Sequence, residues 1–155
     1  AGCVPLARVP RGDHDYITKR ISESGISADS VLLEVADHAG VAKAMQNMDA
    51  GIFIIKPAYS KIASAPTKLG EFLGCGVPCL GNANVGDIAD IIVGEKVGVV
   101  LSSFDADSIR VAVEELVCLT KQEGIKAHCR DVALRYFSLK EGVRSFDRIY
   151  RELVV

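Results

Sequence analysis

The sequence lacks a charge of one sign: 18 Lys and Arg stand against 20 Asp and Glu, a formal net charge of −2. No broad basic field is available to attract duplex nucleic acid or an anionic membrane. No apolar run approaches the ~20 residues that a membrane span requires. The N-terminal AGCVPLARVPRGD has neither the charged start nor the long apolar centre of a secretory signal. It also lacks Met and opens directly into a strand-like run, which predicts that the true chain begins further upstream. Cysteines are odd in number: Cys3, Cys75, Cys79, Cys118 and Cys129. Most lie in apolar settings where a reduced thiol acts as a small hydrophobe, which suits a reducing cytoplasm. Gly76 and Pro78 fall between Cys75 and Cys79, and no paired C-x-x-C or nearby histidine completes a zinc set, so no metal site is expected. Internal repeats and low-complexity segments are absent.

What is present, 155 residues with 49% hydrophobic and 25% charged, suffices for one well-buried domain and is short for two. Val4 to Val9 reads as a strand ended by Pro10-Arg11-Gly12. Asp13 caps a helix to about Ser24, with Gly25 as its stop and His14 on its surface. Arg11-Gly12-Asp13 spells an adhesion tripeptide, but a strand-to-helix turn with an acidic cap explains it. Val31 to Val35 is the second strand. Asp37 opens a helix with Val41, Ala44, Met45 and Met48 on one face, the methionines filling core. His38 follows a strand end, the side on which α/β folds bind ligands. Ile52 to Ile55 is a continuous β-branched and aromatic run, predicted to be covered by helices on both faces. Lys56 stands at its exit, and the polar loop 57–65, with Tyr59, Ser60 and Lys61, is long enough to line a ligand.

The stretch Ser64 to Asp87, SAPTKLGEFLGCGVPCLGNANVGD, packs a helix, a buried strand and a glycine-bearing loop into one unit. Pro66 is expected at the first helical position with Ser64 or Ala65 as cap, and Gly76 and Pro78 end the helix. Val77 to Leu80 reads as a strand buried on both faces, and the next helix starts near Asp87. Two helix N-termini would then open at one sheet edge, a place for phosphate. Lys68 in the first turn and Glu71 one turn later would set a cation and a carboxylate side by side. Further on, Ile88 to Val93 reads as a helix stopped by Gly94, and Val97 to Leu101 as a buried strand. Asp105 or Asp107 caps a helix to Leu119 with Ile109, Val113, Leu116 and Val117 inward. Ala127 to Tyr136 and Leu139 to Leu153 are two more helices, the last capped by Ser138 with a Phe146, Ile149 and Tyr150 stripe. About five strands alternating with helices predict an α/β fold, a Rossmann-like doubly wound parallel sheet with helices on both faces.

The pattern S-x-P-T-K-L-x-E-[FY]-L-x-C-G-x-P followed by G-N-x-x-V-G-D resembles the donor-binding, C-terminal half of GT-B glycosyltransferases, in particular the retaining family four. Gly94 to Leu101 and the tail FSLKEGVRSFDRIYREL extend the likeness over the last two-thirds of the chain. In such enzymes the glutamate matching Glu71 binds the ribose of a nucleotide sugar and the lysine matching Lys68 approaches its phosphates. An earlier family glutamate is replaced by Ala63, so contacts to the donor sugar ring do not carry over. In GT-B donor domains the first strand lies mid-sheet, whereas Val4 to Val9 matches the second; the resemblance then implies either that the central strand lies upstream of this chain, or that another segment fills its slot, or that the first third aligns differently.

The resemblance implies one nucleotide-sugar-binding domain over residues 1–155, part of a longer cytoplasmic chain whose N-terminal domain takes the acceptor, a saccharide, lipid-linked or small molecule, and carries the catalytic groups. The donor-binding set is Glu71, Lys68, Thr67, Ser64, Gly86, Asp87, Asn84 and His38. Nucleotide sugar is the substrate, and neither a metal nor another cofactor is expected. Two alternatives are a noncatalytic α/β ligand-binding or regulatory module and a GT-B-type sugar-nucleotide epimerase. Against a receiver-type regulator, Ile55 is followed by Lys56 where a lone aspartate is needed.

Overall fold

A computed structural model describes residues 6–8, 14–34, 37–56 and 58–154, with the side chains of residues 6–8, 14, 28, 34 and 38 outside that set. The contacts divide the chain into two units, Ala1–Val41 and Ala42–Val155. Cys3, the Arg11-Gly12-Asp13 turn, the Asp13 cap, the ends of both predicted N-terminal strands and Pro57 lie outside the described residues.

In the first unit β1 (Leu6–Arg8) and β2 (Leu32–Glu34) pair in parallel, Leu6 beside Leu32 and Arg8 beside Glu34. Between them runs α1 (His14–Glu23), followed by Gly25 at φ 70°, the left-handed stop expected there. The helix α2 (His38–Gln46) starts in this unit, with the Asp37 carboxylate accepting from the Gly40 N–H at 2.8 Å.

The second unit holds a parallel sheet in the order β3 (Gly51–Ile52), β4 (Cys79–Asn82), β5 (Gly98–Leu101). Around it lie α3 (Thr67–Gly74), α4 (Ile88–Gly94), α5 (Ala106–Thr120), α6 (Ile125–Phe137) and α7 (Leu139–Leu153). This is the predicted α/β alternation with a parallel sheet. All four residues of the central strand β4 are buried, as are Val77 and Pro78 before it, which is why this run carries no exposed polar alternation. On one sheet face Leu80 and Leu101 pack with Ala112 and Leu116 of α5. On α3, Leu69, Phe72 and Leu73 recur at helical spacing and are buried. They meet α6, whose Ile125, Cys129, Val132 and Ala133 form the matching stripe. Each such fully buried aliphatic side chain contributes roughly 1.5–3 kcal/mol relative to exposure.

Three expectations are corrected and a fourth is refined. Pro66 is not the first helical residue: it is the N-cap, extended at φ −68° and ψ 116°, and no side chain caps α3. Its ring has no N–H to bond and Thr67 takes the first helical position instead. The β3 run is not covered on both faces, since Gly51 and Phe53 are buried while Ile52 and Ile54 are exposed; among the described residues β3 is an end strand of this three-stranded sheet. Along α5 the buried positions are Ala112 and Leu116, and Ile109, Val113 and Val117 are exposed, because the short β5 offers only a narrow face to pack. Finally, α4 ends at Gly94 as expected, but Gly94 is its last helical residue and the left-handed residue that closes the turn is Lys96 at φ 54°.

The two helix ends entering β4 and β5 share one design. After α3, the Gly76 N–H bonds to Leu73 and the Val77 N–H to Phe72, with Gly76 at φ 79°. After α4, the Lys96 N–H bonds to Val93 and the Val97 N–H to Ile92. Both are Schellman closures, which need a left-handed residue in the penultimate position.

Candidate functional site

The site sits where the chain leaves β3 and β4. Beyond β3 the ladder continues one bond further, the Phe53 N–H donating to the Leu80 carbonyl at 3.0 Å, and then a side chain takes over. Buried Asn82, 1% exposed, accepts from the Ile55 N–H at 2.8 Å and donates to the Ile55 and Ala83 carbonyls at 2.9 and 3.1 Å. A buried amide with every partner supplied is stable in place, whereas an apolar residue would leave backbone groups of Ile55 unpaired. Asn82 therefore fixes the exit of β3 and the path of Lys56. Sequence reasoning passed over it, although an amide at the end of an otherwise apolar buried strand was the available signal.

From Lys56 the chain reaches a single 3₁₀ turn, Tyr59–Lys61, all of it exposed. The Lys61 carbonyl then accepts from two N–H groups, Ser64 at 3.2 Å and Gly86 at 3.2 Å. The loops after β3 and β4 are thus joined directly. Gly86 lies at φ 46°, and a Cβ there would overlap the Ser64 carbonyl oxygen; only glycine permits this approach. Buried Val85 anchors the loop from within, while Asn84, also left-handed at φ 64°, faces solvent.

Seven of the eight predicted site residues fall in this region. Ser64 is half-buried, its hydroxyl bonding back to the Ser60 carbonyl. Thr67 opens α3 and is exposed. Lys68 and Glu71 form an ion pair at 2.5 Å, their side chains 51% and 38% exposed. Asn84 and Gly86 are placed as above. Asp87 precedes α4 in the cap position with its carboxylate making no capping bond. The eighth, His38, opens α2, and its side chain lies outside the described residues.

Capping differs between helices. The Asp105 carboxylate accepts from the Ser108 N–H at 2.9 Å and the Ser138 hydroxyl from the Glu141 N–H at 3.3 Å. Hydrogen bonds from Ser103 and Ser108 hold the Asp105 carboxyl far below the usual carboxylate range. The first turns of α3 and α4 receive no side-chain cap; the Ile88 N–H bonds back to the Val85 carbonyl at 3.3 Å, while the Thr67 and Lys68 N–H groups of α3 are open to water or an anion. What the arrangement offers is a cation, a carboxylate and uncapped N–H groups around two joined loops.

No protein-family model matches the sequence, and no curated protein does. Among solved structures, a sucrose-phosphate synthase from Thermosynechococcus elongatus superimposes with a TM-score of 0.68 over 96% of this chain at 16% identity. A GtfA/B complex superimposes with a TM-score of 0.61 over 84% of it at 22% identity. The fold is that of a GT-B glycosyltransferase domain. This chain spans 37% and 26% of the lengths of those two. At such identities the likeness is one of fold. Among the described residues no helix is long and apolar enough to cross a membrane.

Proposed function

We propose that this chain is the donor-binding domain of a retaining glycosyltransferase, holding a nucleotide sugar at the joined loops after β3 and β4. The observation that supports it is the Gly86–Lys61–Ser64 junction beside the Lys68–Glu71 pair and the uncapped start of α3. In this reading the Glu71 carboxylate accepts from the ribose hydroxyls, a charge-assisted carboxylate–diol contact. Lys68 and the α3 N-terminus face the pyrophosphate, whose charge grows as the bond to the sugar breaks. Ser64, Thr67, Asn84 and Asp87 line the same ligand, and Gly86 lets the backbone come close to it.

In the free chain Lys68 and Glu71 bind each other. An exposed pair of this kind is worth about 0–1 kcal/mol, whereas hydrogen bonds to charged groups contribute about 1.5–3 kcal/mol. Exchanging the pair for a phosphate and a diol is therefore favourable, and the ion pair keeps both side chains on the binding face until then. The acceptor and the catalytic groups belong, in this proposal, to a second domain of the full-length protein.

The test is calorimetric titration of the 155-residue chain with UDP, GDP, ADP and TDP, beside Glu71→Ala. Saturable binding of one nucleotide, weakened by ~1.5–3 kcal/mol in the variant, supports the proposal. A folded chain that binds none of the four, or binds with no dependence on Glu71, overturns it.

A further inference from the structure

Lys56 and Lys61 stand on the loop that leaves β3, outside the Lys68–Glu71 pair. Residues 51–86 carry three lysines, Lys56, Lys61 and Lys68, against one acid, Glu71, in a chain whose 18 basic residues are outnumbered by 20 acidic ones. The excess of positive charge here is local. Glu71 is already taken by Lys68, and among the described residues neither Lys56 nor Lys61 has an ion pair.

Neither lysine stands on a loose backbone. The Asn82 amide engages both the N–H and the carbonyl of Ile55, at 2.8 and 2.9 Å, so the peptide leading into Lys56 is held from the end of β4. Lys61 closes the 3₁₀ turn, its N–H donating to the Ala58 carbonyl at 2.8 Å, and its own carbonyl accepts from Gly86 in the loop after β4. Both positions are thus set by the neighbouring strand and its loop. Yet no residue of the turn Tyr59–Lys61 is buried. Hydrogen bonds order this segment with no apolar burial to offset the lost chain entropy, which points to a ligand, and the charge that the segment presents makes that ligand an anion.

We propose, building on the donor-site reading, that Lys56 and Lys61 make the site select a nucleoside diphosphate over the monophosphate by taking its terminal phosphate. Glu71 and Lys68, together on α3, hold the ribose and the phosphate next to it. Lys56 and Lys61 approach from the β3 loop and neutralise the second. A lysine ammonium is a compact point charge on a flexible stem, suited to a terminal phosphate whose oxygens turn freely.

Calorimetric titration of the 155-residue chain tests this, using whichever of UDP, GDP, ADP and TDP binds, beside the monophosphate of the same nucleoside. The parent should bind the diphosphate on the order of 100-fold more tightly, two charged hydrogen bonds of about tenfold each. Lys56→Met and Lys61→Met should each weaken the diphosphate about tenfold and the monophosphate less than about twofold, and the double variant should bring the two ligands together. Both lysines are exposed, so urea midpoints should match the parent's. Lys121→Met removes the same charge at the far end of α5, about 22 Å from its start, and should leave the ratio unchanged. A parent that binds no nucleotide overturns the donor-site reading and this assignment with it. Binding that depends on Glu71, while Lys56→Met and Lys61→Met keep the parent's diphosphate-to-monophosphate ratio or lower it no more than Lys121→Met does, overturns this assignment alone.

Discussion

The amino and carboxyl ends of the β3–β4–β5 sheet handle charge in opposite ways. At the amino end, in the turn before β5, the Glu95 carboxylate takes two bonds from Arg135, at 3.0 and 2.6 Å, and a third from the Tyr136 hydroxyl at 2.6 Å. The His128 ring donates to the Glu95 carbonyl at 2.6 Å. In the turn before β4, Arg130 donates to the Cys75 carbonyl at 3.2 Å. These contacts tie α6 to helix ends 33 to 55 residues away. At the carboxyl end the ion pairs Lys68 with Glu71 and Arg110 with Asp107 are local, each three residues apart on one helix. Charges at the amino end tie distant segments together, whereas those at the carboxyl end pair or cap within a few residues. On the proposed function, stability and binding are therefore separable by mutation.

The largest expected effect breaks the amino end. Gly76→Ala puts a side chain at φ 79° and 2.9 Å from the Lys126 carbonyl, costing about 2–3 kcal/mol. Urea titration should show this loss while the folded fraction keeps its nucleotide affinity. Next, Asn82→Leu acts across the comparison, because the residue is buried in the sheet yet shapes the carboxyl-end loop. About 1–3 kcal/mol of stability should disappear with the unpaired Ile55 groups, and nucleotide affinity should fall with it; unchanged affinity would separate the loop path from the site.

Smaller and opposite in sign, Lys96→Gly relieves the non-glycine left-handed residue closing α4 and should add about 0.5–1 kcal/mol, read as a higher denaturant midpoint at constant slope. The gentlest test is by pH. Arg135 first, then Tyr136, hydrogen-bond the Glu95 carboxyl and lower it from 4.5 to about 2. A depressed folded value means that the stabilisation is complete above 4.5 and drains away as pH falls toward about 2. Melting curves of Glu95→Gln and the parent should differ at about pH 6 and draw together near about pH 3. Equal gaps at both values would detach the Glu95 cluster from acid stability.

Much of this molecule is written locally. Spacings of three and four placed α3, α6 and α7, Ser138 was legible as a cap, and of the two candidates Asp105 and Asp107 the structure chose Asp105, whose bond to Ser108 spans three residues. The unbroken apolar run at β4 announced a strand covered on both faces, and Lys68 and Glu71 were paired by helical geometry alone. What tertiary structure decided depends on partners distant in sequence. Asn82 became an anchor only when Ile55, 27 residues earlier, came beside it. Gly86 became indispensable only because the Ser64 carbonyl arrived against it. Burial of Gly51 and Phe53 beside exposure of Ile52 and Ile54 shows that one face of β3 is covered and the other is not, which no β-propensity records. Lys96 took the left-handed position that Gly94, two residues away, was suited to, because α4 extends one turn-closing pair further before β5 begins. Local pattern chooses the element, through backbone sterics and periodicity. Which face is covered, and which polar group is satisfied, is set by the neighbours that the fold delivers.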